Sequence, residues 1–111
     1  MRIYLALVSV AVAVSACATG TPGKSVHITQ KTWDGYREYI GIIGTTKPGV
    51  FAVSTAGDGA YGYSYCEEQR CDLHATTGYR ALAMKLCLEY ASDCEVFAIG
   101  QDIKVQYQIV N

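Results

Sequence analysis

What most limits the fold of this chain lies at its start. Residues 3–14 form an almost unbroken apolar run, Ile-Tyr-Leu-Ala-Leu-Val-Ser-Val-Ala-Val-Ala-Val, behind a short basic start, Met1-Arg2. A helix of that length rises roughly 18 Å, well short of the roughly 30 Å hydrocarbon core of a bilayer. The run therefore suits the apolar region of a removable signal peptide better than a permanent span. Taking residues 1–16 from 111 leaves 95, enough for one small domain. A domain of that size buries little apolar surface for its length and often relies on covalent staples.

Small residues close the run, and Val14-Ser15-Ala16-Cys17 resembles the lipobox of bacterial lipoproteins: an aliphatic residue, two small residues and a cysteine. The resemblance covers the first 17 residues. It implies that Cys17 is diacylated on sulfur, that cleavage precedes it, and that its new amino group can be acylated. An anchor of two or more acyl chains holds a protein stably on a membrane, whereas one chain holds it only marginally. Ala18 follows the cysteine, and by the sorting pattern of enterobacterial lipoproteins this implies the outer membrane, with the domain facing the periplasm or the surface. The alternative is an ordinary secretory signal. Ala16-Cys17-Ala18 also fits the small-x-small pattern of the general signal peptidase, whose cut after Ala18 would release a soluble protein.

Residues 17–30 begin Cys-Ala-Thr-Gly-Thr-Pro-Gly-Lys-Ser, too small and polar to build a core, and read as a flexible tether. The single domain is expected over 31–111. Thr32 is a candidate helix cap, followed at helical spacing by Trp33, Tyr36, Ile40 and Ile43, with Gly44 as the stop. Val50–Thr55 reads as a strand, Ala56–Ala60 as a glycine turn, and Tyr61–Cys66 as a second strand whose tyrosines alternate with Gly62, Ser64 and Cys66. A helix over 77–91 carries Tyr79, Leu82, Ala83, Leu86, Cys87 and Tyr90 on one stripe. Cys94–Ile99 reads as a third strand. Ile103, Val105, Tyr107 and Ile109 alternate with polar residues as a fourth. Val50-Phe-Ala-Val and Val96-Phe-Ala-Ile are alike enough to suggest strands packed on the same helix. The expected class is α+β: a small antiparallel sheet of about four strands with one or two helices on one face, stapled by disulfides. From Phe51 to Val105 the chain also resembles a loose class of uncharacterised proteobacterial envelope domains with paired cysteines, through Phe51-Ala52, Gly57, Cys87, Cys94 and Phe97-Ala98. No activity comes with that resemblance.

Of five cysteines, Cys17 belongs to the leader junction, which leaves Cys66, Cys71, Cys87 and Cys94. An even number in an exported chain suggests two disulfides. The short separations favour Cys66–Cys71 and Cys87–Cys94, each worth ~2–3 kcal/mol by loop entropy. A zinc site from Cys66, Cys71 and His74 is the competing reading, but the spacing matches no standard zinc motif and an oxidising compartment favours disulfides.

The formal net charge is −1, about −2 without Arg2, and no basic stripe exists, which removes the usual electrostatic basis for nucleic-acid binding. No nucleophile elbow, HExxH or phosphate loop is present. His27 lies near the tether, a poor place for a rigid base, and His74 reads as a surface residue before a helix. Glu67 and Glu68 are neighbours in a loop, not carboxylates opposed across a cleft. No catalytic residue, cofactor or metal is therefore assigned. The candidate binding surface is the stripe Tyr61, Tyr63 and Tyr65, with Trp33 and Tyr36 as possible additions. Its rings suit a glycan or protein partner, and packing under a helix as core is the more ordinary reading. The expected role is a non-catalytic envelope lipoprotein that binds the membrane through its lipid and an envelope protein or peptidoglycan through its domain. The alternative is a small secreted hydrolase or redox enzyme using Cys or His chemistry.

Overall fold

A computed structural model describes residues 25–68, 70–71 and 77–110. The elements run β1 (Ser25–Thr29), α1 (Gln30–Ile43), β2 (Gly49–Ser54), β3 (Tyr61–Tyr65), α2 (Thr77–Leu88), β4 (Cys94–Ile99), β5 (Asp102–Ile103) and β6 (Gln106–Val110). Four strands form one antiparallel sheet in the order β3-β2-β4-β5, and β1 pairs with β6 in a small parallel ladder. The α+β class, the four-stranded antiparallel sheet and the disulfide staples are as the sequence indicated. The leader, the lipobox with Cys17, and His74 lie outside the described residues.

Every residue of β2 is buried, so the sheet is covered on both faces. Phe51 and Val53 point into one cluster, with Tyr36, Tyr39 and Ile43 of α1, Val26 and Ile28 of β1, and Phe97. Val50 and Ala52 point into the other, with Ala83 and Cys87 of α2. The period-two alternation of a strand makes these opposite faces. The sequence expectation of helices on one face thus becomes one helix per face, because the small residues of β2 and β3 leave room for a second.

Helix α1 starts earlier than its pattern suggested. Thr29, not Thr32, is the cap: its hydroxyl accepts from the Thr32 N–H at 3.1 Å. Gly44 ends the helix at φ 55°, donating its N–H to the Ile40 carbonyl at 3.0 Å. The buried stripe is Thr32, Gly35, Tyr36, Tyr39 and Ile43. Small residues at two of those positions let the helix settle on the sheet, and Tyr39 takes the centre while Trp33 and Ile40 flank it. The Tyr39 hydroxyl donates to the Gly100 carbonyl at 2.8 Å, tying α1 to the turn after β4.

Two further expectations are corrected. Residues 25–29 do not belong to a tether: Val26 and Ile28 are buried as β1. The single strand expected over 103–109 divides, with Ile103 pairing Ala98 in the main sheet and residues from 106 onward pairing β1. Val105 is buried at the break. In β4, Phe51 faces Ala98 and Ala52 faces Val96, which leaves Phe97 as the extra residue of a bulge. Both Phe97 and Ala98 thereby reach the α1 side. Phe51 and Phe97 each meet the Tyr36 ring edge-on, at 5.4 and 5.1 Å, as the likeness of the two segments suggested.

The disulfides are Cys66–Cys71 and Cys87–Cys94, with Cα separations of 6.1 and 6.3 Å. The second ties α2 to the start of β4. The first closes the loop after β3.

Candidate functional site

The three candidate tyrosines stand on β3, the outer strand of the sheet, on the face covered by α1. Each is half-buried. The Tyr61 and Tyr63 rings lie nearly parallel to Phe51, at 5.3 and 5.8 Å, and Tyr65 lies 6.2 Å from Tyr63. The stripe therefore packs on the core along its inner side and meets solvent along its outer side. Trp33 and Tyr36 do not extend it. Tyr36 is buried, and Trp33 stacks on Tyr107 at 5.3 Å.

Gly35 explains how Tyr61 fits. A Cβ there would run into the outer end of the Tyr61 ring, so glycine lets the ring lie against α1 without shifting. Two shallow clefts of about 390 and 410 Å³ open on either side, sharing Lys31 and Tyr61. Asp58, Gly59 and Tyr90 line the first, and Asp34, Gly35 and Glu38 the second. Three carboxylates and one lysine thus line the two clefts that meet at Tyr61. The Asp58 carboxyl is held below its usual range by the Ala60 N–H, at 3.1 Å, and by the Ser54 hydroxyl. The Tyr63 hydroxyl donates to Glu38 Oε1 at 3.1 Å. Burial and this carboxylate push Tyr63 up to about 12.

Burial also raises Tyr39 and Tyr36, Tyr39 the more strongly. These phenols bind their protons more tightly in the folded state than at their unfolded value near 10. Their contribution to stability is whole below that pH and is lost as pH rises toward the folded values. Denaturant midpoints measured with the disulfides intact are expected to be flat through neutral pH and to fall from about pH 10 upward. Tyr39→Phe is expected to make that fall shallower.

Sequence reasoning did not bring Lys31, Asp34, Glu38, Asp58 or Tyr90 to this place. Their only signal was that Asp34 and Glu38 sit four apart, on one face of a helix. His27 lies on the exposed face of β1, opposite Gln108. Glu67 and Glu68 are exposed in the loop after β3, as expected. Cys66 and Cys71 are bonded to each other, which takes from the zinc alternative both of its thiolates. Among the described residues no group of three or more His, Cys, Asp or Glu side chains is arranged to hold a metal ion. Among them, too, no helix is long and apolar enough to cross a membrane.

The backbone of β3 supplies a second feature. The Ser54 N–H donates to the Ala60 carbonyl at 3.0 Å, and the Cys66 N–H to the Pro48 carbonyl at 3.1 Å. Hydrogen-bonded and non-hydrogen-bonded pairs alternate along an antiparallel ladder. With the register Val53↔Tyr61, Phe51↔Tyr63 and Gly49↔Tyr65, the even-numbered residues of β3 bond to β2. Tyr61, Tyr63 and Tyr65 turn their N–H and C=O groups outward, and no strand among the described residues pairs with them.

No protein-family model matches the chain, and no match is found among curated proteins or solved structures.

Proposed function

We propose that this chain is a lipid-anchored, non-catalytic binding module of the bacterial cell envelope. The observation that carries the reading is the cysteine pairing. Four of the five cysteines are consumed in two disulfides, and the one left over is Cys17, at the end of the Val14-Ser15-Ala16-Cys17 motif. Disulfides are common in oxidising compartments outside the cytoplasm. A lipid on Cys17 would place the domain on a membrane, the outer membrane by the residue that follows, with an envelope protein or peptidoglycan as its partner. The acidic, tyrosine-floored groove supports a binding role, since aromatic faces with polar tips suit a partially wet interface. A hydrolase with a cysteine nucleophile would need a free thiol, and both described pairs are closed.

Intact mass of the protein isolated from membranes tests this directly. Residues 17–111 plus acyl chains are expected, and the acyl mass and membrane association should both vanish in Cys17→Ser. An unmodified chain beginning at Thr19 in the soluble fraction would overturn the anchor.

A further inference from the structure

We propose that the outer edge of β3 is a docking site for an extended segment of another protein, one whose side chains alternate between basic and apolar. The segment would add a fifth strand to the main sheet. This rests on the binding-module reading and gives that module its mode of recognition.

The backbone argument comes first. Tyr61, Tyr63 and Tyr65 direct three N–H and C=O pairs away from the sheet. Natural edge strands are usually blunted by proline, lysine, a bulge or extreme shortness. Tyr-Gly-Tyr-Ser-Tyr has none of these and keeps unbroken register with β2. Added strands gain affinity from such main-chain bonds and specificity from the side chains on each face.

The edge also runs between two different walls. On the α1 side stand the half-exposed Tyr61 and Tyr63 rings with Asp34 and Glu38, two carboxylates against one cation, Lys31. On the other side stands α2. Leu86 approaches Gly62 so closely that its Cβ is 2.7 Å from where a glycine Cβ would be. Leu86 therefore lies on the β3 side of the helix, and Tyr79 and Leu82 share that side by helical spacing. Leu82 is 45% exposed. Alternate side chains of an added strand would meet carboxylates and tyrosine faces on one side and leucines on the other. Lys or Arg suits the first wall through ion pairing and cation–π contact, and aliphatic residues suit the second.

Charge decides between a foreign strand and a second copy. Antiparallel pairing of two β3 edges would put the two α1 faces on the same side and bring four carboxylates, Asp34 and Glu38 from each copy, against two Lys31 ammonium groups. Like charges on a pairing edge oppose association.

The test uses the mature chain purified from whichever fraction holds it, in a zwitterionic detergent, with two synthetic peptides, (Lys-Val)4 and (Glu-Val)4, both capped. Affinity and backbone amide exchange are read together. The expected result is that (Lys-Val)4 binds about tenfold more tightly than (Glu-Val)4 and slows exchange at the Tyr61, Tyr63 and Tyr65 amides. Glu38→Lys, a change at an exposed position, should reverse the preference while leaving the circular dichroism spectrum unchanged. Binding without protection of those three amides would overturn the proposal. So would protection that appears without peptide as protein concentration rises, or protection by purified peptidoglycan and not by peptide. None of these outcomes bears on the intact mass, so the docking site and the lipid anchor stand or fall separately.

Discussion

Tyr39→Ala is expected to lower the free energy of unfolding by about 3–5 kcal/mol, the range for truncating a large buried aromatic. The Tyr39 side chain has no exposed surface and packs against Tyr36, Phe51 and Tyr63 at ring separations of 5.9, 5.4 and 5.6 Å. Its removal would open a void between α1 and the sheet that backbone on both sides keeps from closing. It would also strip the Gly100 carbonyl of its donor. Tyr39→Phe separates these effects: the ring stays, and only the hydrogen bond goes, at about 1 kcal/mol. Small domains hold about 5–15 kcal/mol in all. Urea denaturation followed by Trp33 fluorescence should therefore show a large fall in midpoint for the alanine variant, about a third or more of the stability of a marginal domain, and only a modest shift for the phenylalanine variant. Equal midpoints for the alanine variant and the parent would mean that α1 does not rest on the sheet through this ring.

The second large effect is expected at Gly62. A Cβ there would stand 2.7 Å from the Ala83 carbonyl oxygen, the Cys87 backbone nitrogen and the Leu86 Cβ. Two of these three atoms are helix backbone, and the Cys87–Cys94 disulfide further limits how far α2 can retreat. Gly62→Ala is expected to cost about 1–3 kcal/mol by overpacking, and Gly62→Val more. At roughly 4–8 °C per kcal/mol for a domain of this size, the alanine variant should melt about 4–24 °C lower and the valine variant lower still. Gly41 provides the contrast, since nothing lies within 4 Å of a Cβ added there. Gly41→Ala is expected to raise stability by about 0.5–1 kcal/mol, through helix propensity and a less flexible unfolded chain. Scanning calorimetry of the variants checks both directions. A Gly62→Val melting point equal to that of the parent would mean that α2 does not lie on β3.

The contrast between these glycines shows where sequence reading stops. Gly41 and Gly62 look alike in a sequence. One lies on the open face of α1, and the other is the floor on which α2 sits. The alternation of Tyr61, Tyr63 and Tyr65 with Gly62, Ser64 and Cys66 did reveal a strand with one aromatic and one small face. It did not reveal that the small face receives a helix, since small residues tolerate a helix, a second sheet or water equally well.

The groove shows the same boundary. Its tyrosines were legible because alternation is local. Glu38 joins Tyr63, 25 residues later, only because α1 crosses the aromatic face of β3 at that height. Which side of α1 meets the sheet was also ambiguous in sequence. Trp33, Tyr36, Tyr39, Ile40 and Ile43 together span more than one side of the helix, and the small residues Thr32 and Gly35 select the contact.

By itself the sequence determined the local periods: two helices, the β2–β3 hairpin, the glycine stops, and the short cysteine separations that pair within one turn or one helix end. Tertiary structure decided everything set by partners far apart in the chain. Ser25–Thr29 became a strand because β6 lies beside it in a parallel ladder, and the alternating run over 103–109 broke because its two ends pair with different neighbours. Local pattern reports what a segment can bury. Only the assembled fold reports what it is buried against, and the groove at β3 exists only in that assembly.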